Sequence, residues 1–184
     1  MRTACVIPAK SNSSRLPGKN FIRVGPMSLV EWAILQGTQA GFRPIVVGDK
    51  GWPKPEDEKW PRGVFDYVER DEKTSDPEMS SLAVAHWAAE EYDRLILLQP
   101  TSPLRTLEDI NACLKISESS HLNATTVNDR TGQPNGAVYV RLNKFPLYEL
   151  GVMYGMPNDR SLDINTKDDL ITAWTFVAGK RMAK

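Results

Sequence analysis

Between residues 8 and 20 the chain sets Lys10, Arg15 and Lys19 around the turn Pro17-Gly18, with Ser11, Ser13 and Ser14 among them and Asn20 behind. Small residues and a glycine leave backbone amides open, and cations beside open amides are what a phosphate cradle needs. The pattern is not the Walker loop, which requires G-x-x-x-x-G-K-[ST]. Only Gly18-Lys19 is present, and Asn20 stands where a hydroxyl would reach magnesium. Taken alone the segment reads equally well as a solvated basic loop, and its position directly after the first apolar run gives it weight.

A second group lies in Leu97-Leu98-Gln99-Pro100-Thr101-Ser102-Pro103-Leu104-Arg105-Thr106. An apolar run stops at a polar turn held by two prolines, and Thr106-x-x-Asp109 then opens a helix as a capping box. Gln99 and Thr101 thereby fall at the carboxyl end of a strand, where open α/β sheets bind ligands.

For two such loops to share a rim, strands and helices must alternate. Residues 3–7, 44–47, 64–68, 95–98, 124–127 and 137–140 read as strands, the last two separated by the turn Asp129-Arg130-Thr131-Gly132. Ser28-x-x-Glu31 caps a helix whose face carries Val30, Ala33, Ile34 and Gly37. Asp76-Pro77 reads as the cap and first residue of a second helix, with Leu82, Ala85 and Ala89 inward. A third helix starts at Leu107 with Ile110, Cys113 and Leu114 inward. Thr166-x-x-Asp169 opens a fourth, with Leu170, Ala173, Trp174 and Val177 on one side. Residues 52–61 hold too many prolines for a helix interior and read as a surface loop. The order predicts an α/β fold of three layers, α/β/α and Rossmann-like, with a mostly parallel sheet.

Length and charge narrow the function. A chain of 184 residues that is 41% hydrophobic suits a single domain, residues 1–184. Its formal net charge is zero, so no bulk basic surface invites nucleic acid or an anionic membrane, and phosphate chemistry must rely on local cations. Cys5 and Cys113 sit in apolar runs, which predicts buried free thiols and a cytoplasmic setting. No apolar run reaches membrane-spanning length. His86 and His121 have no partner pattern for a metal or a nucleophile.

The first loop resembles the signature of the acylneuraminate cytidylyltransferases. Residues 97–106 resemble that family's second motif. Pro134-Asn135-Gly136-Ala137-Val138-Tyr139-Val140 and Asp163-Ile164-Asn165-Thr166 resemble its third and fourth, in the same order. Ser13-Ser14-Arg15-Leu16-Pro17-Gly18-Lys19 is also similar to the 3-deoxy-manno-octulosonate cytidylyltransferases. The resemblance implies a nucleotidyltransferase fold and transfer of CMP from CTP to the anomeric hydroxyl of a 2-keto-3-deoxy sugar acid, with Mg2+ and release of pyrophosphate. It places Lys19, Arg15 and Asp163 in the catalytic set, Ala9, Lys10, Asn20, Arg70 and Ser81 on the nucleotide, and Gln99, Thr101, Asn135 and Tyr139 toward the sugar acid. Asp163 and Asn165 take the metal positions. From the residues alone, Arg70 reads equally as half of a surface ion pair; Gln99 also has a reading as a buried amide and Tyr139 one as core, each the lesser of its two.

Three departures from the family carry consequences. Lysine stands at Lys10 where the family generally has arginine, and serine at Ser14 where it often has lysine, which implies a looser grip on triphosphate. Asn165 replaces a second aspartate, which leaves an oxygen for magnesium but no charge. Only about thirty residues separate Arg105 from Asn135, too few for the family's dimerisation arm, so the chain is expected as a monomer or weak homodimer with a more open acceptor pocket. Two further readings stand beside this one: a nucleotidyltransferase with another acceptor, such as an octulosonate, and a catalytically weak nucleotide-binding protein.

Overall fold

The computed structural model of the chain describes residues 1–182 apart from 12, 14, 51–62, 72–74, 77–78, 147–148 and 150, with residues 180–182 described by backbone only. The chain runs through β1 (Thr3–Ala9), a 3-10 turn (Lys19–Phe21), β2 (Arg23–Val24), β3 (Met27–Ser28), α1 (Leu29–Gln39), β4 (Ile45–Gly48) and β5 (Asp66–Glu69). It continues through α2 (Ser81–Ala88), β6 (Arg94–Leu98), α3 (Leu107–Ser120), β7 (Ala124–Asn128), β8 (Pro134–Leu142), β9 (Val152–Met156) and α4 (Lys167–Met182).

Seven strands form one sheet in the order β5-β4-β1-β6-β8-β7-β9. All pairings are parallel except those of β8, which runs against both β6 and β7. The other six strands therefore end on a common rim, the rim where β8 begins, and every loop that leaves a strand there can reach the same space. The mostly parallel sheet agrees with the sequence reading.

Alternation along the strands builds the layers. Cys5, Ile7 and Ala9 of β1 and Ile96 and Leu98 of β6 face α1 and α3, packing on Ala33, Ile34, Ile110 and Cys113. Ala4, Val6, Leu95 and Leu97 point the other way onto Val84, Ala85 and Ala89 of the α2 segment. Both faces of the central strands are apolar and fully buried, as a sheet covered on both sides requires. A smaller third cluster joins Leu16, Val24, Leu29, Ile164 and Ala173, which seats α4 on the β2–β3 hairpin.

Helix starts follow the capping signals. The Ser28 amide donates to Glu31 Oε2 at 2.6 Å, and Glu31 N donates to Ser28 Oγ. Thr106 donates both its amide and its hydroxyl to Asp109, and Thr166 does the same to Asp169. The second helix differs from expectation: its cap is Ser80, whose Oγ accepts from Ala83 N at 3.1 Å, four residues beyond Asp76. Ser80 lies immediately before an apolar stretch, whereas Met79, between Asp76 and that cap, forms only a bend. Pro77 and the expected loop at residues 52–61 lie outside the described residues.

Trp174 also departs from expectation. It is 48% exposed and donates its indole N–H to the Arg23 carbonyl at 3.0 Å, so it clips α4 to the hairpin by its polar edge while Ala173 takes the core position. Cys5 and Cys113 are buried and unpaired, and burial pushes both thiols up to about 12. Among the described residues no helix is long and apolar enough to cross a membrane.

Candidate functional site

The rim carries a cleft of about 350 Å³ walled by loops from four places in the chain. Of the residues singled out from the sequence, Ala9, Lys10, Arg15, Lys19, Asn20, Arg70, Ser81, Gln99, Thr101, Asp163 and Asn165 all line it. Lys19 and Gln99, eighty positions apart, open onto the same space.

The first loop folds back on itself. Gly18, at φ 66°, donates its amide to the Ser11 carbonyl at 3.0 Å, and the buried Asn20 donates from Nδ2 to the Lys10 carbonyl at 2.8 Å. Gly18 takes the left-handed conformation that a side chain would strain. An anchor from the neighbouring strand holds the loop down. Asp49, just past β4, accepts the Ser11 amide and hydroxyl on Oδ2 at 2.7 and 2.8 Å, and its Oδ1 meets Arg70 Nη1 at 3.0 Å. Arg70 is thus half of a buried ion pair and not of a surface one, its side chain only 1% exposed. Nothing in the sequence reading gives Asp49 a role at the site. The carboxylate sits one position past a buried apolar run, which is a usable signal for a rim residue, but its partners 38 and 21 residues away are not.

The second loop is held from below. Arg105, 3% exposed, donates Nε to Gln36 Oε1 at 2.8 Å and Nη1 to the carbonyls of Gln99 and Ala137 at 2.8 and 2.6 Å. Gln36 Nε2 in turn donates to the carbonyls of Pro103 and Arg105, both at 2.9 Å. Gln99 and Thr101 therefore stand on a turn whose backbone is bonded by buried side chains, the arrangement that keeps a binding residue in place.

The loop before α4 closes the cleft. Ile164 N donates to the Thr101 carbonyl at 2.8 Å, joining it to the second loop, and Lys19 Nζ donates to the Ile164 carbonyl at 3.0 Å and to Asn165 Oδ1 at 3.3 Å. Asn165 Nδ2 donates to Asp163 Oδ2 at 2.7 Å. Asp163 Oδ1 is buried without a hydrogen-bond partner among the described residues. Burial lowers the Lys19 pKa; Asp163 opposes that shift, and Arg15 and Lys10 add to it. A lysine partly stripped of water beside two other cations gains most when an anion arrives.

The donor set around Asp163 suits a hard cation only in part. Among the described residues no group of three His, Cys, Asp or Glu side chains comes together. One carboxylate with a free oxygen, one amide oxygen and the oxygens of a bound phosphate are nevertheless the kind of set magnesium accepts, since it commonly takes one or two carboxylates plus substrate phosphates. The residues fit such an ion if a phosphate completes the set.

Two expected residues lie elsewhere. Tyr139 lines a second hollow that shares Ser80, Ser81 and Gln99 with the cleft. Asn135 lines neither hollow. Its Oδ1 accepts from Thr126 Oγ1 at 2.6 Å and from Ala137 N at 3.1 Å, and its Nδ2 donates to Ser161 Oγ at 3.2 Å, so the amide is consumed in tying β8 to its neighbours. Gly136 of that motif lies against Gln99, a residue of the cleft. It has φ 73°, and a Cβ there would sit 2.8 Å from Gln99 Oε1. Gly136→Ala is expected to combine left-handed strain with a displaced Gln99, costing about 1–2 kcal/mol, or roughly 2–8 °C in Tm, measurable by thermal unfolding.

No protein-family model matches the chain, and no curated protein matches it in sequence. Solved structures do match. A CMP:2-keto-3-deoxy-manno-octonic acid synthetase complexed with CTP has 15% identity over 98% of this chain and 100% of that one, with a TM-score of 0.71. The molybdopterin-guanine dinucleotide biosynthesis protein A of Archaeoglobus fulgidus has 14% identity over 96% and 99%, at 0.68. The 2-C-methyl-D-erythritol 4-phosphate cytidylyltransferase of Thermus thermophilus has 14% over 97% and 100%, at 0.67. At these identities the likeness is one of fold: the chain shares the α/β fold of these solved structures, with its cleft at the carboxyl rim of the sheet.

Proposed function

We propose that the protein is a cytidylyltransferase that moves CMP from CTP to the anomeric hydroxyl of a 2-keto-3-deoxy sugar acid and releases pyrophosphate. The observation that carries this reading is the convergence of Lys10, Arg15 and Lys19 with Gln99, Thr101 and Asp163 on one cleft. The acceptor oxygen forms a bond to the α-phosphorus as the bond from that phosphorus to the β-phosphate bridging oxygen breaks, and the hydroxyl proton is lost to the medium. Little covalent work falls to the protein; alignment and charge stabilisation supply the rate. Lys19, Arg15 and Lys10 neutralise the triphosphate. Asn20 keeps their loop shut, and Arg70, through Asp49, keeps it docked on the sheet. Gln99 and Thr101 orient the acceptor.

Asp163 and Asn165 would hold magnesium, which when bound supplies positive charge to the phosphate oxygens. Asn165→Asp is expected to lower the half-saturating magnesium concentration several-fold, because a second carboxylate adds charge to a site that has one. An unchanged magnesium titration would remove position 165 from the ligand set.

The deciding assay is pyrophosphate release with CTP, magnesium and a panel of keto sugar acids, octulosonate and neuraminate included. A second reading, a nucleotide-binding protein of little turnover, draws on Asn165, whose amide takes up both Lys19 and Asp163. CTP binding without turnover on any acceptor favours that reading.

A further inference from the structure

Helix α2 is only eight residues long and packs chiefly on β1, β4 and β6. The same face of β8 lies beyond its main contacts, and there the second hollow opens, about 320 Å³, between the start of α2 and the side chains of Gln99, Thr125, Tyr139 and Arg141. Tyr139 and Arg141 share this face because they are two apart on a strand.

Arg141 is the unusual member. It is 6% exposed, yet of its five N–H groups the bond found is one, from Nη1 to the Glu149 carbonyl at 2.9 Å. Among the described residues its buried Nε has no partner. The guanidinium carbon stands 5.5 Å from the Tyr139 ring centre. Among the described residues it forms no ion pair, in contrast to the buried Arg70 and Arg94, which meet Asp49 and Glu118, and to the partly buried Arg160, which meets Asp109. Arg105 also lacks a carboxylate partner, but its guanidinium is shared among three oxygens of the protein. A buried cation left with one carbonyl and a ring face is costly unless something supplies the counter-charge.

We propose that Arg141 makes the second hollow an oxyanion subsite, which binds the negatively charged group of the acceptor while the acceptor's hydroxyl end passes Gln99 into the cleft. The inference rests on the nucleotidyltransferase reading for the direction in which the acceptor lies; on the sugar-acid reading the oxyanion is the carboxylate. Planar, fork-like donors favour bidentate contact with a carboxylate or a phosphate. The Tyr139 ring would cover the apolar edge of the ligand, and Thr125 and Ser81 offer hydroxyls to the sugar.

The test is equilibrium titration of the whole protein with CTP bound and magnesium withheld, so that nothing turns over. The probes are 3-deoxy-manno-octulosonate and N-acetylneuraminate, their methyl esters, and 2-C-methyl-D-erythritol 4-phosphate. Wild-type protein is expected to bind at least one acid roughly 10- to 100-fold more tightly than its ester, the scale of a charge-assisted contact. Arg141→Gln should erase that preference while still binding CTP, which reports that the variant is folded, and Arg141→Lys should keep part of it. Preference for the phosphate probe, lost in Arg141→Gln, would support the oxyanion subsite and overturn the sugar-acid reading. Equal binding of acid and ester by wild type with no binding of the phosphate, or a preference that survives in Arg141→Gln, would overturn the subsite even if CTP turns over on a neutral acceptor.

Discussion

Lys19→Ala is expected to lower kcat for pyrophosphate release by about 10²- to 10³-fold, the usual consequence of removing one preorganised charge from a transition state. Thermal stability should hardly move. The ammonium is half-buried, its cost of desolvation offsets its bonds to the Ile164 carbonyl and Asn165, and an alanine leaves those acceptors at the mouth of an open cleft. Full activity in the variant would remove Lys19 from the triphosphate. The lowered pKa has a sign that can be checked in the same assay. Lys19 is charged below its folded pKa and loses its charge as pH rises through it, so the alkaline fall in CTP affinity should begin at lower pH than an ordinary lysine would impose. Lys19→Arg, which stays charged, should push that fall to higher pH.

Asp163→Asn should be nearly as damaging, by at least about 100-fold in kcat/KM, and the loss should shrink as magnesium is raised. The substitution is close to isosteric. It preserves an acceptor for the Asn165 amide, which bonds Asp163 Oδ2 at 2.7 Å, so the loop before α4 should keep its shape. What disappears is the charge on Oδ1, the one oxygen of this carboxylate that is buried with no hydrogen-bond partner among the described residues. Measuring initial rates across a magnesium series separates the outcomes: a deficit that is the same at every concentration would mean that Asp163 acts on something other than a cation.

The features that the sequence made legible are those written in short-range code. The boxes Ser28–Glu31, Thr106–Asp109 and Thr166–Asp169 each close within one helical turn, and all three form as expected. Strands β1 and β6 announce themselves as continuous apolar runs because both their faces are buried. By contrast β2 and β3 are two residues each, shorter than one full alternation, and β9 holds a glycine and has one fully buried position, Met156, so none of the three carries a readable apolar period. The loops of the cleft are legible in their motifs, but the side chains that hold them are not. Asp49 joins Ser11 to Arg70, Gln36 joins Arg105 to the proline turn, and Asn135 turns inward to Thr126; each of these depends on which strands lie side by side. Arg141 is illegible for the same reason, since nothing near it in the chain tells that no described carboxylate meets it.

The fastening of the proline turn has a practical consequence. Every oxygen that Arg105 grips belongs to a peptide group or to the amide of Gln36, and none of these titrates or attracts counter-ions. Mild acid and concentrated salt, which loosen exposed ionic contacts, leave such a rivet alone. If recognition of the acceptor fades in brine, the weakness therefore lies in the visitor's own charge and not in the scaffold that receives it.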